Sequence, residues 1–510
     1  MIRRMFKKRY TLVLALVFCL TATLFIVGSI GYDPWVDYDE DGDVDPDDFS
    51  VFAGEYGTSG DPTKNVNVTN ERLDVNVINF PNIEVIGFKG ATFVNCWGQG
   101  DKLFLGIANA YGSSADDPSL VQMRLDGSYE VLLTRAEFQT LTGLSSGEIV
   151  AIYEAVNGDI FASTHPTPVK ILKKPIEGIW EVAYTPSPQM KTCYGITADD
   201  GGYLYFTARM NGTAKRAIYR SVDKGESWTE VWSEATDWIF GIEACKNTVV
   251  AGATNAIIRS GNRGDDWSKV VVSGIVRNVK HIEGETWIAF CGASTKIFMS
   301  IDDGVSWFEI ENKLPESGGE APAQSCLSPL GKAFVSLGRG CSVAYSKNLA
   351  VWYQTRDLFP GTRCRGVYAT AEHLYLGTFN AYGITPYYGE SYSGRVLIIP
   401  LAQLEPRQSP LPMLVWDEQI MLAQEYESKP IYCSGIERQK FYIYSETSGG
   451  NFTVKVFDEG AETYREFSRT SISGDTLTEV TFTGRARLVK VSFTSSAATT
   501  VSLWDFMEET

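Results

Sequence analysis

Three tryptophans recur at nearly constant spacing in the middle of the chain, and this periodicity constrains the fold more than any other feature. Trp228, Trp267 and Trp307 each end one copy of an eight-residue pattern, at intervals of 39 and 40 residues. The copies read S-V-D-K-G-E-S-W from Ser221, S-G-N-R-G-D-D-W from Ser260 and S-I-D-D-G-V-S-W from Ser300. Short runs rich in β-forming residues flank each copy, so each is predicted to form the turn of a hairpin.

The residue types of the pattern suit a tight turn. Asp223 and Asp302 can accept hydrogen bonds from N–H groups of their own turn, glycine supplies a positive φ, and the tryptophan rings can pack into the core. The second copy has Asn262 in place of the first Asp, and residues 346–352 are a fainter relative that is one residue shorter. We assign a structural role to Ser221, Asp223, Gly225, Trp228, Ser260, Asn262, Gly264, Trp267, Ser300, Asp302, Gly304 and Trp307.

A repeat of about 40 residues that carries four short strands predicts a β-propeller. Strand-like runs recur in phase with the tryptophans and predict seven blades within residues 85–405: 91–135, 148–186, 191–232, 238–272, 276–311, 323–355 and 365–401. Two segments could complete the seventh sheet, residues 412–416 and residues 82–88.

The pattern resembles the Asp-box, or BNR repeat, which is the hairpin signature of sialidase-type propellers. In that family the box lies on the face away from the active site, so the resemblance implies a structural role here. The family's catalytic set includes an Arg-Ile-Pro segment early in the propeller, an arginine triad and a Tyr/Glu nucleophile pair. No R-I-P occurs in this chain, and Arg124 and Arg135 are the only arginines of the first two predicted blades. The resemblance therefore covers the fold and stops short of the catalytic set.

The face opposite the patterned turns is where a ligand is expected, in loops such as 109–119, 136–147, 312–324, 356–363 and 380–395. Tyrosine rings stack on sugars and arginines hold carboxylates, so the ligand-binding candidates are Arg339, Arg363, Arg365, Tyr382, Tyr387, Tyr388 and Tyr392. The candidates for glycosidic acid, base or nucleophile chemistry are Glu316, Glu320, Glu390 and Tyr388. The alternative is that the tyrosines pack their own loop and the arginines pair with the protein's own carboxylates.

The N-terminal segment indicates export. Five basic residues lie within residues 1–10, and residues 11–31 carry no charge. This apolar stretch is long enough to span a bilayer, while Ser29 and Gly31 also permit cleavage after Gly31, so residues 1–31 are a membrane anchor or a removed signal. Either one leaves the basic end inside and predicts an extracellular location for the rest. A net charge of −17 disfavours a nucleic-acid partner.

An acidic loop follows and predicts a Ca²⁺ site within residues 32–60. The sequence D-Y-D-E-D-G-D-V-D-P-D-D places Gly42 at the sharp turn of a twelve-residue loop. Its predicted ligands are Asp37, Asp39, Asp41, Asp43, Asp45 and Asp48. The Asp at position 12 and the amphipathic run behind it resemble a dockerin repeat, which implies a cohesin-like partner. Dockerins normally carry two such repeats and this chain shows one, so a calcium-stiffened segment near the membrane is the alternative. Residues 61–84 are polar and are predicted to be a stalk.

The predicted fold class is thus all-β: a seven-bladed propeller and a C-terminal sandwich, preceded by a transmembrane helix or signal and a calcium loop. Alternating runs in residues 406–510 predict the sandwich. The absence of a C-x-x-C pair and the presence of only three histidines disfavour a zinc or haem site. The preferred function is a non-catalytic surface protein that binds glycan or protein ligands through the propeller. The alternative is a sialidase-like glycoside hydrolase acting on acidic sugars.

Overall fold

The computed structural model describes residues 84–508, except 89–90, 100–101, 110–113, 125–126, 146, 213–214, 236, 293–294, 313, 315–324, 329–330, 338–340, 347–348, 350–351, 356–361, 381–393, 405–412, 434–435, 437 and 485. The predicted anchor or signal, the calcium loop and residues 61–83 of the stalk lie outside the described residues. Within the described ranges, no helix is both long enough and apolar enough to cross a membrane.

The first part of the described chain is almost entirely β. Its strands are β1 (Glu84–Gly87), β2 (Ala91–Gln99), β3 (Lys102–Asn109), β4 (Pro118–Met123), β5 (Tyr129–Thr134), β6 (Glu148–Glu154), β7 (Ile160–His165), β8 (Ile171–Lys174), β9 (Glu181–Tyr184), β10 (Met190–Thr192), β11 (Ile196–Ala198), β12 (Leu204–Met210), β13 (Arg216–Ser221), β14 (Thr229–Glu234), β15 (Ile239–Cys245), β16 (Thr248–Ser260), β17 (Ser268–Glu283), β18 (Thr286–Gly292), β19 (Ile297–Ser300), β20 (Phe308–Glu309), β21 (Ser325–Leu327), β22 (Ala333–Ser336), β23 (Val343–Ser346), β24 (Tyr353–Gln354), β25 (Thr362–Ala369), β26 (His373–Asn380) and β27 (Arg395–Pro400).

These strands form antiparallel sheets whose order follows the chain, as in β2-β3-β4-β5, β6-β7-β8-β9 and β21-β22-β23-β24. Middle strands such as β18 are buried along their whole length. Their sequences are correspondingly continuous apolar runs, because each sheet packs between two neighbouring sheets. Two long strands change partners along their length. The first half of β16 pairs with β15 and its second half with β17, while the first half of β17 pairs with β16 and its second half with β18.

The inner strands contact one another in a closed order that defines a propeller-type arrangement. β2 contacts β6, and the contacts continue through β11, β15, β17, β21 and β25 back to β2. The inner strands approach closely where side chains are small. A Cβ on Gly241 would lie 2.8 Å from the carbonyl oxygen of Arg277, so glycine permits the approach of β15 to β17 at this point.

The first strand of the described chain joins the last sheet of this arrangement. β1 pairs with β27, with Val85 opposite Leu397, and β27 pairs with β26. A bridge between Phe93 and Phe379 connects β26 to β2. Of the two candidate closing segments, residues 82–88 therefore contain the outer strand. Glu84, which the sequence analysis assigns to the stalk, begins that strand.

Residues 136–147, predicted to be a loop, contain a helix instead, α1 (Arg135–Thr142). The Thr134 side chain accepts from the Glu137 N–H and the Glu137 side chain accepts from the Thr134 N–H, which forms a capping box. Gly143 ends the helix in the left-handed conformation at φ 73°. The T-x-x-E spacing was the local signal for this helix. A second short helix, α2 (Leu401–Leu404), follows β27.

The C-terminal part is a two-layer sandwich. Its strands are β28 (Met413–Met421), β29 (Glu425–Glu427), β30 (Ile431–Tyr432), β31 (Arg438–Ser445), β32 (Gly450–Asp458), β33 (Thr463–Ile472), β34 (Thr476–Thr483), β35 (Leu488–Ser495) and β36 (Thr499–Glu508). One sheet has the order β28-β36-β31-β34 and the other β29-β35-β32-β33. Phe441 and Leu503 from the first sheet share a core with Phe452 and Phe493 from the second. The other candidate closing segment is residues 412–416. Its described residues, 413–416, are part of β28 and so belong to the sandwich.

The sandwich packs against the propeller-type part through a mixed interface. Tyr432 and Leu488 share a core with Leu349 and Trp352. At its edge, the Glu311 N–H donates to the Pro430 carbonyl (2.7 Å), and Lys429 Nζ lies 2.8 Å from Glu309 Oε1.

Candidate ligand site on the open face

The three tryptophan-ended copies form hydrogen-bonded turns, which we call the Trp-closed turns (residues 221–228, 260–267 and 300–307). In the first, the Gly225 N–H donates to Ser221 Oγ (2.8 Å) and the Ser221 hydroxyl donates to Asp223 Oδ1 (2.8 Å). Ser227 donates its N–H to Asp223 Oδ1 (2.9 Å) and its hydroxyl to Oδ2 (2.5 Å). The hydroxyl bond from Ser227 is the main cause that lowers the pKa of Asp223 to about 2.

The third turn repeats this network. Ser306 donates to Asp302 from both its N–H and its hydroxyl, and the Gly304 N–H donates to Ser300 Oγ (2.8 Å). Burial opposes ionisation of Asp302, yet the Ser306 bonds prevail and lower its pKa. The Trp307 indole N–H donates to the Gly304 carbonyl (3.0 Å), so the ring is fixed by its own turn.

The second turn reverses one hydrogen bond and keeps its geometry. Asn262 stands where the other turns have Asp, and Asp266 stands where they have Ser. The Asp266 N–H still donates to Asn262 Oδ1 (2.9 Å), while Asn262 Nδ2 now donates to Asp266 Oδ2 (2.9 Å). The replacement of Asp by Asn at position 262 is therefore compensated by the replacement of Ser by Asp at position 266.

The Trp-closed turns mark one end of their sheets and define the other as the open face. Ser221 is paired with Leu204, whereas Arg216, at the far end of β13, is paired with Arg209. In the next sheet Asn247 contacts the turn residue Arg263 through a backbone bond of 2.8 Å. The beginning of β15, which is paired with Ala253, therefore lies at the open end.

Most of the predicted ligand and catalytic residues lie outside the described residues: Glu316, Glu320, Arg339, Tyr382, Tyr387, Tyr388, Glu390 and Tyr392. Arg363 and Arg365 belong to β25. The predicted calcium ligands Asp37, Asp39, Asp41, Asp43, Asp45 and Asp48 are also outside the described ranges. Among the residues that the structure does describe, no three His, Cys, Asp or Glu side chains are grouped as metal ligands.

Three arginines and three aromatic rings converge on the open face instead. This open-face cluster consists of Tyr194, Arg209, Arg216, Trp238, Phe240 and Arg277. The guanidinium carbon of Arg209 lies 3.8 Å from the centre of the Trp238 ring, and that of Arg216 lies 5.5 Å from it. Arg277 lies 4.3 Å from the centre of the Phe240 ring. The Trp238 and Phe240 rings are stacked at 6.1 Å, and Tyr194 lies 5.5 Å from Phe240.

The side chains of the cluster come from the open ends of several strands. Arg209 and Arg216 are neighbours across β12 and β13. Trp238 precedes β15, Phe240 lies near its beginning, and Arg277 lies where β17 begins to pair with β18. The Thr207 hydroxyl donates to the Phe240 carbonyl (2.9 Å), which ties β15 to the arginine-bearing sheet. The cluster thus spans three successive repeats.

Arg209 and Arg277 carry positive charge that no carboxylate in the described ranges balances. Neither Arg209 nor Arg277 is within ion-pair distance of a carboxylate in the described ranges, and Arg277 Nε is buried without a hydrogen-bond acceptor there. Burial lowers the pKa of Arg216, and the nearby Arg209 charge lowers it further. Burial also lowers the pKa of Arg277. A desolvated guanidinium without an acceptor favours a bound anion, because the anion restores the missing hydrogen bonds.

This cluster has no signature in the local sequence, because its six residues lie between positions 194 and 277 without a fixed spacing. The repeat phase was a usable signal. Tyr194 and Trp238 lie just before an inner strand, and Arg277 lies where β17 begins to pair with β18, in successive repeats. The phase set by the tryptophans therefore places them on one face.

No protein-family model matches the chain, and no curated protein does. Among solved structures, a catalytically inactive virginiamycin B lyase from Staphylococcus aureus with quinupristin is similar at a TM-score of 0.44 and 13% identity, covering 62% of this chain and 99% of that one. The WD40 repeats of RRP9 are similar at a TM-score of 0.45 and 11% identity, covering 62% of this chain and 97% of that one. At these values the similarity does not indicate a common function.

Proposed function

We propose that this protein is a seven-bladed β-propeller of the Asp-box type whose open face binds a negatively charged ligand, in particular an acidic sugar of a glycan. The observation that carries the proposal is the open-face cluster, in which Arg209, Arg216 and Arg277 surround Trp238 and Phe240. The closed order of inner-strand contacts supports the blade number, since it passes through seven strands.

The chemistry of the cluster matches such a ligand in two ways. Aromatic rings bind the apolar face of a sugar, and arginine forks bind its carboxylate with two hydrogen bonds. The cluster is also a local exception in a chain of net charge −17. A group of cations in an acidic protein attracts anions only at short range, where they contact the guanidinium groups.

The cellular setting belongs to the same proposal. The basic end and the apolar residues 11–31 support an extracellular protein that is anchored or secreted. The acidic loop from Asp37 supports a Ca²⁺-stabilised, dockerin-like segment with a cohesin-like module as its partner.

Isothermal titration of the full chain with acidic and neutral oligosaccharides of equal length tests the proposal. We expect binding of the acidic member only, and Arg277→Ala to weaken it about 10-fold to 100-fold because a charge-assisted hydrogen bond is lost. Arg469→Ala is the matched control, because Arg469 is exposed on the sandwich and pairs with Glu466. Equal binding of neutral and acidic sugars, or an unchanged affinity for Arg277→Ala, contradicts the proposal.

A second candidate function is catalysis on the bound ligand, and one described pair favours it. His165 Nδ1 lies 2.8 Å from Glu148 Oε1 at the open end of β6 and β7. A carboxylate that holds Nδ1–H leaves Nε2 as a proton acceptor. Turnover of an acidic glycan that is lost in His165→Gln, with binding retained, supports a hydrolase; binding without turnover by the parent protein supports the first proposal.

A further inference from the structure

Two Asn-Gly pairs occur in the chain, and both lie in hairpin turns. Asn157 and Gly158 are in the turn between β6 and β7, and Asn211 and Gly212 are in the turn between β12 and β13. Both asparagines are exposed. An Asn-Gly pair is where an asparagine can lose ammonia, because glycine has no Cβ to hinder the approach of its backbone nitrogen to the asparagine side chain. The two turns differ in whether their hydrogen bonds permit that approach.

The turn at Asn157 holds both reacting groups in place. The Gly158 N–H, whose nitrogen is the nucleophile in such a reaction, donates to the Ala155 carbonyl (2.8 Å). The Asn157 side chain donates from Nδ2 to Asp159 Oδ2 (3.0 Å), and its Oδ1 accepts from the Asp159 N–H (3.3 Å). Three hydrogen bonds must therefore break before the Gly158 nitrogen can reach the Asn157 side chain.

The turn at Asn211 is fixed by its backbone and leaves the reacting groups free of such bonds. The Asn211 N–H donates to the Gln189 carbonyl (2.7 Å), and the Met210 N–H donates to the Lys215 carbonyl (3.0 Å). Within the described residues, neither the Asn211 side chain nor the Gly212 N–H has a hydrogen-bond partner. Gly212 adopts the left-handed conformation at φ 69°. We propose that Asn211 is a site of spontaneous deamidation.

The reaction needs only water. The Gly212 nitrogen attacks Cγ of Asn211 and loses its proton, the bond between Cγ and Nδ2 breaks, and the Nδ2 group leaves with that proton as ammonia. Water then opens the resulting five-membered succinimide at one of its two carbonyls, which gives aspartate or isoaspartate at position 211. No group is oxidised or reduced. A neutral amide is replaced by a group that is a carboxylate at neutral pH.

The new charge lies beside the open-face cluster. Asn211 follows Arg209 by two positions, and Arg216, which is paired with Arg209, begins the strand after the turn. Two residues of extended chain span at most about 7 Å, which is within the Debye length of about 8 Å at physiological ionic strength. Asn157 lies at the other end of its sheet, away from the open face. Deamidation of Asn211 therefore lowers the affinity of the cluster for anions. This effect rests on the proposed function, whereas the reaction itself does not.

Peptide mass spectrometry of the full chain after prolonged incubation at mildly alkaline pH tests the site. In the folded protein, we expect deamidation at Asn211 to be on the order of 10-fold to 100-fold faster than at Asn157, because the hydrogen bonds of the Asn157 turn must break first. In guanidinium chloride the two sites should react at similar rates, since both turns are lost. Equal rates in the folded protein, or a difference that persists in guanidinium chloride, overturns the proposal.

Isothermal titration with an oligogalacturonate as the acidic probe measures the effect on the open face. Asn211→Asp should weaken binding about 3-fold to 10-fold, because the added carboxylate repels the probe. Prolonged incubation should weaken binding by the parent protein but not by Asn211→Gln, whose longer side chain disfavours the five-membered ring. Asn157→Asp is the matched control, since it adds the same charge at the opposite face and should leave the affinity unchanged.

The two measurements separate the site from its effect. An unchanged affinity for Asn211→Asp, or an equal loss for Asn157→Asp, overturns the effect on the open face. An absence of binding by the parent protein contradicts the proposed function alone, because the rates measured by mass spectrometry decide the deamidation site.

Discussion

Asp505 lies in the core of the sandwich with no exposed surface. Its Oδ2 accepts one hydrogen bond, from Gln439 Nε2 (3.1 Å), while its Oδ1 has no partner among the described residues. Burial raises the pKa of this carboxyl well above its usual value, and the Gln439 bond opposes that shift only in part. Burial in the folded protein therefore favours the neutral form of this carboxyl group.

This burial makes the stability of the sandwich depend on pH. The folded pKa is higher than the unfolded one, so the folded chain binds the proton more tightly. The contribution of Asp505 to stability is greatest below the unfolded pKa of about 3.9 and falls as pH rises toward the folded value. Asp505→Asn should remove the dependence and stabilise the protein at neutral pH, by about 1.4 kcal/mol for each unit of the shift. Urea unfolding of both proteins across the pH range measures this, and parallel curves would contradict the assignment.

The hydrogen-bonded pair Asn262 and Asp266 in the second Trp-closed turn gives a second prediction. Asn262→Asp places a second carboxylate against Asp266, and should cost about 1 kcal/mol because the donor is lost and like charges face each other. The double variant Asn262→Asp with Asp266→Ser recreates the arrangement of the other two turns and should recover most of the loss. Thermal unfolding of the two variants and the parent measures the coupling. Additive effects would show that the two side chains do not compensate one another.

Successive repeats of the propeller-type part are joined by a staggered series of ion pairs. A basic residue on a strand of one repeat contacts an acid in the Trp-closed turn of the next repeat. The pairs are Lys173–Glu226 (2.5 Å), Arg220–Asp265 (2.7 Å) and Arg259–Asp303 (3.1 Å). Arg220 and Arg259 directly precede the first serine of a turn, and Met299 occupies the corresponding position before Ser300. The turns therefore connect successive repeats as well as the two strands of their own hairpin.

The members of this series differ in burial, which predicts unequal contributions. Arg259 is largely buried and also donates from Nε to the Asp303 carbonyl (2.6 Å), while the Trp287 indole N–H donates to Asp303 Oδ1 (3.1 Å). Arg259→Gln should destabilise the protein by about 1–3 kcal/mol. Glu226→Gln is the comparison, because Glu226 is 68% exposed and its loss should cost at most about 1 kcal/mol. Chemical denaturation of both variants measures the two losses of stability. A larger loss for Glu226→Gln than for Arg259→Gln would contradict the prediction.

Elements that are stabilised by contacts between residues close in sequence could be predicted from the sequence. Arrangements that form only when several sheets pack together could not. The Trp-closed turns were recognisable because Ser221, Asp223 and Ser227 are near one another in the chain and satisfy one another. Helix α1 has an equally local signal in its capping box. The segment was nevertheless predicted to be a loop, because it lies between two predicted blades. The open-face cluster was missed for another reason. Arg209, Trp238 and Arg277 meet only after three sheets have packed, and no propensity of a single segment encodes that meeting.

The sandwich is attached to the propeller-type part through buried apolar side chains. Leu488 is 1% exposed and packs with Tyr432, Leu349 and Trp352. Such an interface couples the unfolding of the two parts, because unfolding either one exposes the apolar surface of the other.

Leu488→Ala tests the coupling. We expect a loss of about 2–5 kcal/mol from the cavity and the lost burial, with separation of the unfolding transition into two steps. Leu477→Ala is the matched control, since Leu477 is 58% exposed and its truncation should change stability by less than about 0.5 kcal/mol. Scanning calorimetry of both variants measures the number of unfolding transitions and their midpoints. A single transition with an unchanged midpoint for Leu488→Ala would show that the contact contributes little.

Because β1 pairs with β27, this strand pair can form only after both strands have been synthesised. β1 leaves the ribosome before any other described strand, and its partner is among the last strands of the propeller-type part to follow. Until residues 395–400 emerge, β1 and the partner-less edge of β26 remain open to other strands. A chain released before that point carries two free strand edges and is prone to aggregation, so the ring is completed only when translation has passed through it.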